Sequence, residues 1–446
     1  MKIIRYFCIV KRFKYIFRAF LAVLLINLTT LANAQDFQGD RPQENSERNY
    51  MSSPESQAWL DSVDISLLTC GPGQEVWSYY GHTALRIEDH VHGTDLAVNW
   101  GMFSFKQAFF ILRFVFGMTD YQIGIFPMEH FIAEYSSEGR WVRQQRLALT
   151  REEKIKILSA IDENNKEENR TYRYNFFFDN CTTRARDMII RNLGQHITDF
   201  KDIDAQSTYR KEIHRLNENH KWARFGNDLL LGFMADRPIS KQEWEFLPEN
   251  LSKDFATEAR KDTTIQKTMA EVYPTKKRYI KLVDSTFYLI PVQADHATES
   301  ESITPFRVAL ALGTVIFLLS IIEVFKRKNF WWLDMTLLIL TGIPGFILLA
   351  MIFSEHPTVQ INFQILILNP LNLIFAWKTC RNLYKGKIYW YYNIWGILLF
   401  VSLFMQIWQH YAEGMEILAL SLLMRYVIRS IVYDLRKQKK TIKQIK

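Results

Sequence analysis

The last part of the chain contains five long apolar segments, which begin at about Thr304. A transmembrane helix needs roughly 20 apolar residues to cross the hydrocarbon core of a bilayer, and each segment has this length or nearly so. The segments are residues 305–324, 330–353, 361–377, 388–408 and 415–432. They predict an α-helical transmembrane domain of about five helices at 304–433, followed by a basic cytoplasmic tail at 434–446.

The N-terminus predicts export of the region that precedes these segments. Residues 1–34 have a basic start, an apolar core and a small-residue cleavage site at Ala32-Asn33-Ala34. This is the pattern of a secretory signal peptide, with an uncleaved anchor as the alternative. The polar residues 35–58 predict a disordered segment. A structured exported domain is expected at 59–251, and a connector to the membrane at 252–303.

The distribution of charge agrees with this topology. Lys and Arg cluster after the first and third apolar segments and in the tail, whereas the loops SEHPTVQ and HYAEG carry neither. This positive-inside bias predicts a multi-pass membrane protein with its N-terminal domain on the exported side. The net charge is +8, but residues 35–304 alone carry −8 and residues 305–446 carry +10. Binding to nucleic acid is therefore not predicted.

The motif FFFDNCTTRARDMII places a cysteine at the expected start of a helix. The aromatic run Tyr174–Phe178 has the composition of a short buried strand. Asp179 or Asn180 is then a suitable N-cap, and apolar residues recur at helical spacing until Gly194. Cys181 therefore lies in or beside the first turn.

That position favours chemistry at Cys181, because free backbone N–H groups and the helix dipole stabilise a thiolate. Two other interpretations stay open. Cys181 could be a small buried apolar residue, or it could form a disulfide with Cys70, the other cysteine of the exported region.

A β-hairpin upstream supplies candidate partners for the thiol. Residues His82–Glu88 and 96–100 alternate between polar and apolar, with a polar turn between them. If the apolar residues share one core, His82 and Asn99 share the other face and lie diagonally opposite each other. A thiol nucleophile needs a base, and the base needs an orienting partner. Cys181, His82 and Asn99 meet this requirement, with Glu88 as the second choice for the third member.

Other classes of site are not predicted. The histidines and cysteines are not clustered at the spacing of metal ligands, so no metal is expected. There is no glycine-rich phosphate loop, so no nucleotide cofactor is expected. The aromatic run at 106–118 has two interpretations, a core helix or an interfacial element that dips into the outer leaflet and admits an acyl chain.

Several of these motifs resemble those of a known family. A strand-borne GHTALRI that precedes FFFDNCTTRARD is similar to the circularly permuted branch of the NlpC-type, papain-like superfamily. The wider order of LLTCGPGQEVWSYYGHTALRI, VNWGMFSF, LLLGFMADRPISKQEWEFLPENL and FSEHPTVQINFQILILNPLNLI resembles the bacterial lipoprotein N-acyltransferases that join a periplasmic thiol domain to a helical membrane domain. The resemblance implies an α+β fold in which a permuted papain-like domain precedes the transmembrane helices. It also implies a multi-pass protein of a bacterial inner membrane with the thiol domain, residues 59–251, in the periplasm.

The resemblance also implies roles for individual residues. Cys181 is the expected nucleophile and His82 its base, with Tyr80 and Asn180 as oxyanion or site-supporting residues. His356 and Asn362 are candidate contacts for lipid headgroups, with the fixing of a helix end as the equal alternative.

The expected reaction uses no cofactor, because an exported enzyme has no supply of ATP or acyl-CoA. Cys181 would take an acyl chain from a membrane phospholipid as a thioester. The resemblance implies that the acceptor is the α-amine of a diacylglyceryl-cysteine lipoprotein.

Two alternatives to the acyltransferase function stay open. The thiol domain could be a membrane-tethered peptidase or amidase acting on cell-wall peptides, although a single anchor would suffice for tethering. The chain could also be a non-catalytic membrane scaffold with a structural disulfide between Cys70 and Cys181. Free thiols and a tolerated Cys70→Ser substitution would argue against the scaffold.

Overall fold

A computed structural model describes residues 54–103, 109–194, 196–197, 207–257, 259–261, 279–293 and 302–445. The predicted signal peptide at 1–34 and nearly all of the predicted disordered segment at 35–58 lie outside these ranges. The chain divides after Gln57 into two compact units. The description that follows concerns the second unit, Ala58–Lys446, apart from the first residues of helix α1.

The N-terminal domain is a mixed α/β structure. Its strands are β1 (Val63–Cys70), β2 (His82–Asp89), β3 (Thr94–Met102), β4 (Asp120–Pro127), β5 (Val142–Leu147), β6 (Thr171–Arg173), β7 (His196–Ile197), β8 (Ala259–Lys261), β9 (Tyr279–Lys281) and β10 (Val283–Ile290). Its helices are α1 (Pro54–Ser62), α2 (Phe110–Val115), α3 (Met128–Ser137), α4 (Arg151–Asn165), α5 (Cys181–Ile190), α6 (Tyr209–Leu216), α7 (Lys221–Leu230), α8 (Lys241–Trp244) and α9 (Pro248–Thr257).

A seven-stranded sheet organises this domain, with the strand order β10-β5-β1-β2-β3-β4-β6. All neighbouring strands in it are antiparallel. The predicted hairpin is β2 and β3, joined by a turn in which Gly93 has a φ of +67°. The edge strand β10 lies beside β5 and is formed by residues 283–290. These residues fall within the predicted connector at 252–303.

The core lies on both faces of the sheet. On one face, Leu67 and Leu85 of the central strands pack with Ile157 of α4 and Ile189 of α5. On the other face, α3 packs against alternate residues of the same strands. Each fully buried aliphatic side chain of this kind contributes about 2 kcal/mol. The packing on the first of these faces holds α5 against β2 and β3.

The strand predicted at Tyr174–Phe178 is wrong. The strand in this region is β6, which ends at Arg173, and the aromatic residues that follow form a turn. The side chain of Asn175 accepts hydrogen bonds from the N–H groups of Phe177 and Phe178 at 3.2 and 3.3 Å. An asparagine that bonds to the backbone two residues on favours a turn over a strand.

The C-terminal region is helical. Its helices are α10 (Pro305–Lys326), α11 (Trp331–Met351), α12 (Pro357–Gln360), α13 (Pro370–Tyr384), α14 (Trp390–Met405) and α15 (Met415–Ile445). Within the described residues, three segments are long and apolar enough to cross a membrane: Pro305–Lys326, Trp331–Met351 and Pro357–Tyr384. The third differs from the predicted 361–377, because a 3-10 turn at Phe363–Leu366 precedes α13. Helix α14 is shorter, so the count of five spans stays a prediction.

Four charged residues lie buried between the membrane helices. Arg425 of α15 donates to Glu323 of α10 at 2.5 Å and to Asp334 of α11 at 2.8 Å. Arg429 also binds Glu323, and Tyr392 donates to Asp334 at 3.0 Å. Buried charges are tolerated in such a place when they are paired and hydrogen-bonded. This network ties four helices together, α10, α11, α14 and α15.

A set of backbone hydrogen bonds joins the N-terminal domain to the membrane helices, and we call it the membrane junction (residues 228–233 with 358–364). The N–H of Gly232 donates to the carbonyl of Thr358 at 2.8 Å. A Cβ atom on Gly232 would lie 2.0 Å from the carbonyl oxygen of Ile361, so the two backbones meet only because this residue is glycine.

A buried arginine supports the membrane junction from inside the N-terminal domain. Arg210 donates to Asp228 at 2.6 Å and to Asp236 at 2.8 Å. It also donates to the carbonyls of Leu231 and Gly232 at 3.1 and 3.2 Å. The charge of the arginine is therefore compensated, and the end of α7 is held in one position.

Candidate active site

Cys181 is the first residue of helix α5, and Asn180 is its N-cap. The side chain of Asn180 accepts hydrogen bonds from the N–H groups of Thr182 and Thr183 at 2.8 and 2.9 Å. Downstream, the apolar residues Ala185 and Ile189 are buried in the main core. The cap and the core together place the thiol at the positive end of the helix dipole.

The sheet leaves room for this helix end because strand pairing stops beside it. The register between β2 and β3 runs from Asp89–Thr94 to Ala84–Asn99. Beyond Asn99, the pairing of β3 with β4 is irregular as far as Met102, and Gly101 within this stretch has a φ of +92°. A glycine at positive φ is typical of a strand that bends away from its partner. The start of β2, with His82 and Thr83, is thus not paired with the β3 backbone and lies against α5.

The structure brings Cys181, His82 and Asn99 together. The imidazole Nε2 of His82 donates to Oδ1 of Asn99 at 2.5 Å. Because Ala84 is directly opposite Asn99, His82 is diagonal to it, as the alternation predicts. With Nε2 engaged, Nδ1 is the nitrogen left for the hydrogen bond between His82 and the thiol of Cys181.

The two groups shift each other's pKa values. Burial raises the pKa of the Cys181 thiol, but the charge of His82 and hydrogen bonds from His82, the N–H of Thr83 and the hydroxyl of Thr182 lower it to about 7 overall. Burial lowers the pKa of His82, but the nearby Cys181 and the bonds to Cys181 and Asn99 raise it above its ordinary value. The shifts favour a thiolate beside an imidazolium near neutral pH.

Glu88, the other choice for the third position, lies elsewhere. It is opposite Asp95 at the far end of the hairpin and binds Arg86 at 3.1 Å. Six residues of strand separate it from His82, which corresponds to roughly 20 Å. The geometry therefore favours Asn99 as the residue that orients His82.

Asn180 and Tyr80 are engaged in contacts that hold the domain together. Besides capping α5, the amide of Asn180 donates to the carbonyls of Phe176 and Phe246 at 2.7 and 2.9 Å. The hydroxyl oxygen of Tyr80 accepts hydrogen bonds from Asn217 and Asn227 at 3.2 and 2.5 Å. These bonds direct both side chains to structural tasks, so we assign neither of them to an oxyanion.

The two lipid-contact candidates lie in different surroundings. Asn362 is 6% exposed and belongs to the membrane junction, where it donates to the carbonyls of Leu229 and Leu230 and accepts from Gln409. It therefore fixes a chain segment rather than facing lipid. His356 lies against Gly117, and burial lowers the pKa of its imidazole.

Cys70 is a buried core residue opposite His82 in β1. Burial raises the pKa of its thiol well above the ordinary value, so this group stays protonated and unreactive. Cys70 and Cys181 are both free thiols in the structure. The disulfide of the scaffold hypothesis is therefore not formed here.

Three residues near the thiol were not singled out in the sequence. A Cβ on Gly101 would lie 3.8 Å from Cβ of Cys181 and 4.0 Å from the hydroxyl oxygen of Tyr172. Tyr172 is 7% exposed, and its hydroxyl has no hydrogen-bond partner among the residues that the structure describes. Thr83 contributes its backbone N–H to the thiol. A glycine inside a strand pattern was a usable signal for Gly101, whereas Thr83 and Tyr172 had none.

No group of three or more potential metal ligands is found across the described ranges. The chemistry that the described side chains offer here is that of a thiolate with an adjacent acid–base histidine.

Comparison with known proteins gives two family matches. Residues 50–210 match the model of the Lnb N-terminal periplasmic domain, and residues 297–438 match that of the Lnb transmembrane domain. The curated proteins and the solved structures gave no match. The family's domain names describe a membrane protein with a periplasmic region and suggest an enzyme that modifies lipoproteins. With both domains present in this order, the chain belongs to the Lnb family and has the architecture of the Lnb-type lipoprotein N-acyltransferases.

Proposed function

We propose that this protein transfers an acyl chain from a membrane phospholipid, through a thioester on Cys181, to the α-amine of diacylglyceryl-cysteine lipoproteins. The observation that carries the proposal is the thiol of Cys181 at a helix N-terminus beside the His82–Asn99 pair. The membrane junction adds support, because it holds this site in a fixed relation to the helices that enter the bilayer.

In the first step, the thiolate of Cys181 attacks the carbonyl carbon of a phospholipid acyl ester. The C–S bond forms and the ester C–O bond breaks. The His82 imidazolium gives its proton to the leaving alkoxide, which departs as the hydroxyl of a lysophospholipid. His82 is then neutral, and the acyl chain is held as a thioester.

In the second step, the α-amine of the lipoprotein attacks the thioester carbonyl. The C–N bond forms and the C–S bond breaks, while His82 accepts a proton from the amine. This restores the thiolate–imidazolium pair. The transfer is downhill because an amide is more stable than an ester, so no cofactor is needed.

Both steps pass through a tetrahedral intermediate with a negatively charged oxygen. The backbone N–H of Cys181 is one donor available to it at the helix N-terminus. The hydroxyl of Tyr172 is our choice for the second. Burial raises the pKa of this hydroxyl, which keeps it protonated and able to donate.

We also propose a specific fold for the N-terminal domain. A strand histidine that precedes a helix-starting cysteine supports a circularly permuted papain-like domain. We likewise propose five spans, an inner-membrane location and a periplasmic active site, on the basis of the positive-inside bias.

The test is mass spectrometry of the N-terminal peptide of a co-expressed lipoprotein, in cells depleted of their own N-acyltransferase. Wild type, Cys181→Ala and Cys70→Ser are compared at matched protein levels. We expect a third acyl chain on the α-amine with wild type and Cys70→Ser, and a diacylated peptide with Cys181→Ala. A diacylated peptide with folded wild type would refute the proposal and direct attention to muropeptide cleavage.

A further inference from the structure

The segment 109–118 exposes several large apolar side chains. The exposed fractions are 77% for Phe109, 56% for Leu112, 49% for Phe114 and 42% for Met118. A soluble surface rarely groups such residues within ten positions, and patches of this kind usually mark an interaction site.

Charge does not oppose burial of this segment in an apolar medium. Arg113 is its only charged residue, and its guanidinium binds the carboxylate of Asp120 at 2.5 Å. The ion pair turns the charge towards the start of β4. The exposed face of the segment is therefore apolar.

The segment is attached to the membrane domain. The N–H of Glu355 donates to the carbonyl of Phe116 at 2.9 Å. Gly117 fits against the same loop, because a Cβ there would lie 3.1 Å from the His356 ring and 3.2 Å from Glu355. This loop follows helix α11 directly, and its neighbours Ile352 and Phe353 are exposed. The apolar face of the segment is thus continuous with the apolar surface of a membrane-spanning helix.

The segment also connects to the candidate active site. Val115 packs on a core cluster that contains Phe177, and Phe176 packs on the same cluster. Both phenylalanines belong to the turn that leads into Cys181. One side of the segment therefore contacts the membrane loop, and Val115 shares a hydrophobic cluster with the turn before the nucleophile.

We propose that residues 109–118 insert into the phospholipid leaflet on the side of the N-terminal domain. The occupant of this surface is the bilayer itself, since the surface continues that of a spanning helix. A second part of the inference rests on the proposed function: the segment is where a donor phospholipid leaves the leaflet to reach Cys181.

The first experiment measures lipid contact without any dependence on acyl transfer. Full-length Cys181→Ala protein is placed in bilayer nanodiscs that contain a phospholipid with a diazirine in its acyl chain. After irradiation, labelled peptides are mapped by mass spectrometry. We expect labelling of 109–118 comparable to that of the exposed end of α11, and none at the turn around Val91, which is 62% exposed.

Labelling of 109–118 no higher than at Val91, while α11 is labelled, would overturn the insertion. Shielding of the segment by a protein, including a second copy of this chain, would have the same effect, and a bifunctional protein crosslinker used in place of the photoreactive lipid would then join that protein to these residues.

The second experiment tests the route of the donor. A variant with Leu112→Ser and Phe114→Ser is compared with Val91→Ser, which removes an equally exposed apolar side chain elsewhere. We expect acyl transfer to fall at least about 10-fold in the first variant alone, with alkylation of Cys181 by iodoacetamide unchanged. Unchanged transfer would exclude the route. Lipid labelling with no acyl transfer by wild type would refute the proposed function and leave the insertion established.

Discussion

At the scale of residues, the chemistry depends on a small number of contacts around one sulfur atom. Burial in a sheet–helix interface would normally keep a thiol protonated, as it does for Cys70. Cys181 differs because His82 and the N–H of Thr83 stabilise its charged form. The buried Cys70 and the half-buried Cys181 of one domain therefore have opposite reactivity.

The pH dependence of alkylation should report this difference. The thiolate reacts, so the rate of iodoacetamide labelling at Cys181 should rise with pH and be half-maximal near the pKa of about 7. In His82→Ala the burial remains but the compensating charge is lost, so the midpoint should move upward by more than one pH unit. Peptide mapping assigns the label, and an unchanged midpoint in His82→Ala would show that the histidine does not tune the thiol.

Asn99 and Glu88 can be separated by paired substitutions. Asn99→Ala removes the acceptor for Nε2 of His82, so the ring loses its fixed orientation and acyl transfer should fall about 10- to 100-fold. Glu88→Gln changes a side chain at the far end of the hairpin and should leave the rate unaltered. A larger loss in Glu88→Gln than in Asn99→Ala would contradict the assignment.

Tyr172→Phe should separate stabilisation of the oxyanion from reactivity of the thiol. Loss of one oxyanion donor typically slows such reactions about 100-fold. The rate of Cys181 alkylation and its pH midpoint should not change, because the hydroxyl is not part of the thiol–imidazole pair. Tyr209→Phe removes another buried hydroxyl, in a different core cluster, and is the control. Equal transfer rates in the two variants would exclude the role.

At the scale of elements, the site depends on where helix α5 starts and where β3 leaves β2. Asn180 fixes the first point with two accepted and two donated hydrogen bonds. The β2–β3 register ends at Ala84 and Asn99, next to Gly101, and this sets the second. Neither feature touches substrate, yet each sets the position of Cys181 relative to His82.

The cap can be tested through stability. Asn180→Ala removes the N-cap and the amide that donates to the carbonyls of Phe176 and Phe246, which should lower the free energy of unfolding by about 2–4 kcal/mol. The measurement is the apparent melting temperature of the detergent-solubilised protein. Asn192→Ala, which removes one bond to the carbonyl of Met188 at the other end of the helix, is the control. A smaller loss in Asn180→Ala than in Asn192→Ala would show that the cap is dispensable.

At the scale of the whole molecule, two buried polar networks hold the parts in place. Arg210 and the membrane junction fix the N-terminal domain on the loops of the membrane helices. The network around Arg425 joins α10, α11 and α15 inside the membrane region. Partial loss of such networks is costly, because a buried charge is left unpaired.

Glycine substitutions provide a matched test of the membrane junction. Gly232→Ala puts a Cβ 2.0 Å from a backbone oxygen, so the two segments must separate. We expect acyl transfer to be lost, faster proteolysis near residues 231–234, and retained alkylation of Cys181. Gly226→Ala adds a methyl group in α7 where no atom lies within 4 Å, and should be neutral or slightly stabilising. Equal activity of both variants would show that the junction does not position the site.

Local patterns in the sequence were sufficient to predict the hairpin of β2 and β3, the helix that starts at Cys181 and the apolar C-terminal segments. Each depends on alternation, helical periodicity or a cap, and these act between residues that are close in the chain. The resemblance to the lipoprotein N-acyltransferases is confirmed by the two domain matches. The local patterns were therefore sufficient to predict the candidate nucleophile Cys181 and the transmembrane region.

Long-range packing settled what these patterns left open. The register of β2 against β3 places Asn99, and not Glu88, beside His82. Strand β10 joins the sheet across more than a hundred residues, and Asn362 is buried in the membrane junction instead of facing lipid. Such contacts join residues that are distant in the chain, and their energies depend on shape and on which polar groups remain to be paired. No pattern within a short stretch of sequence contains that information.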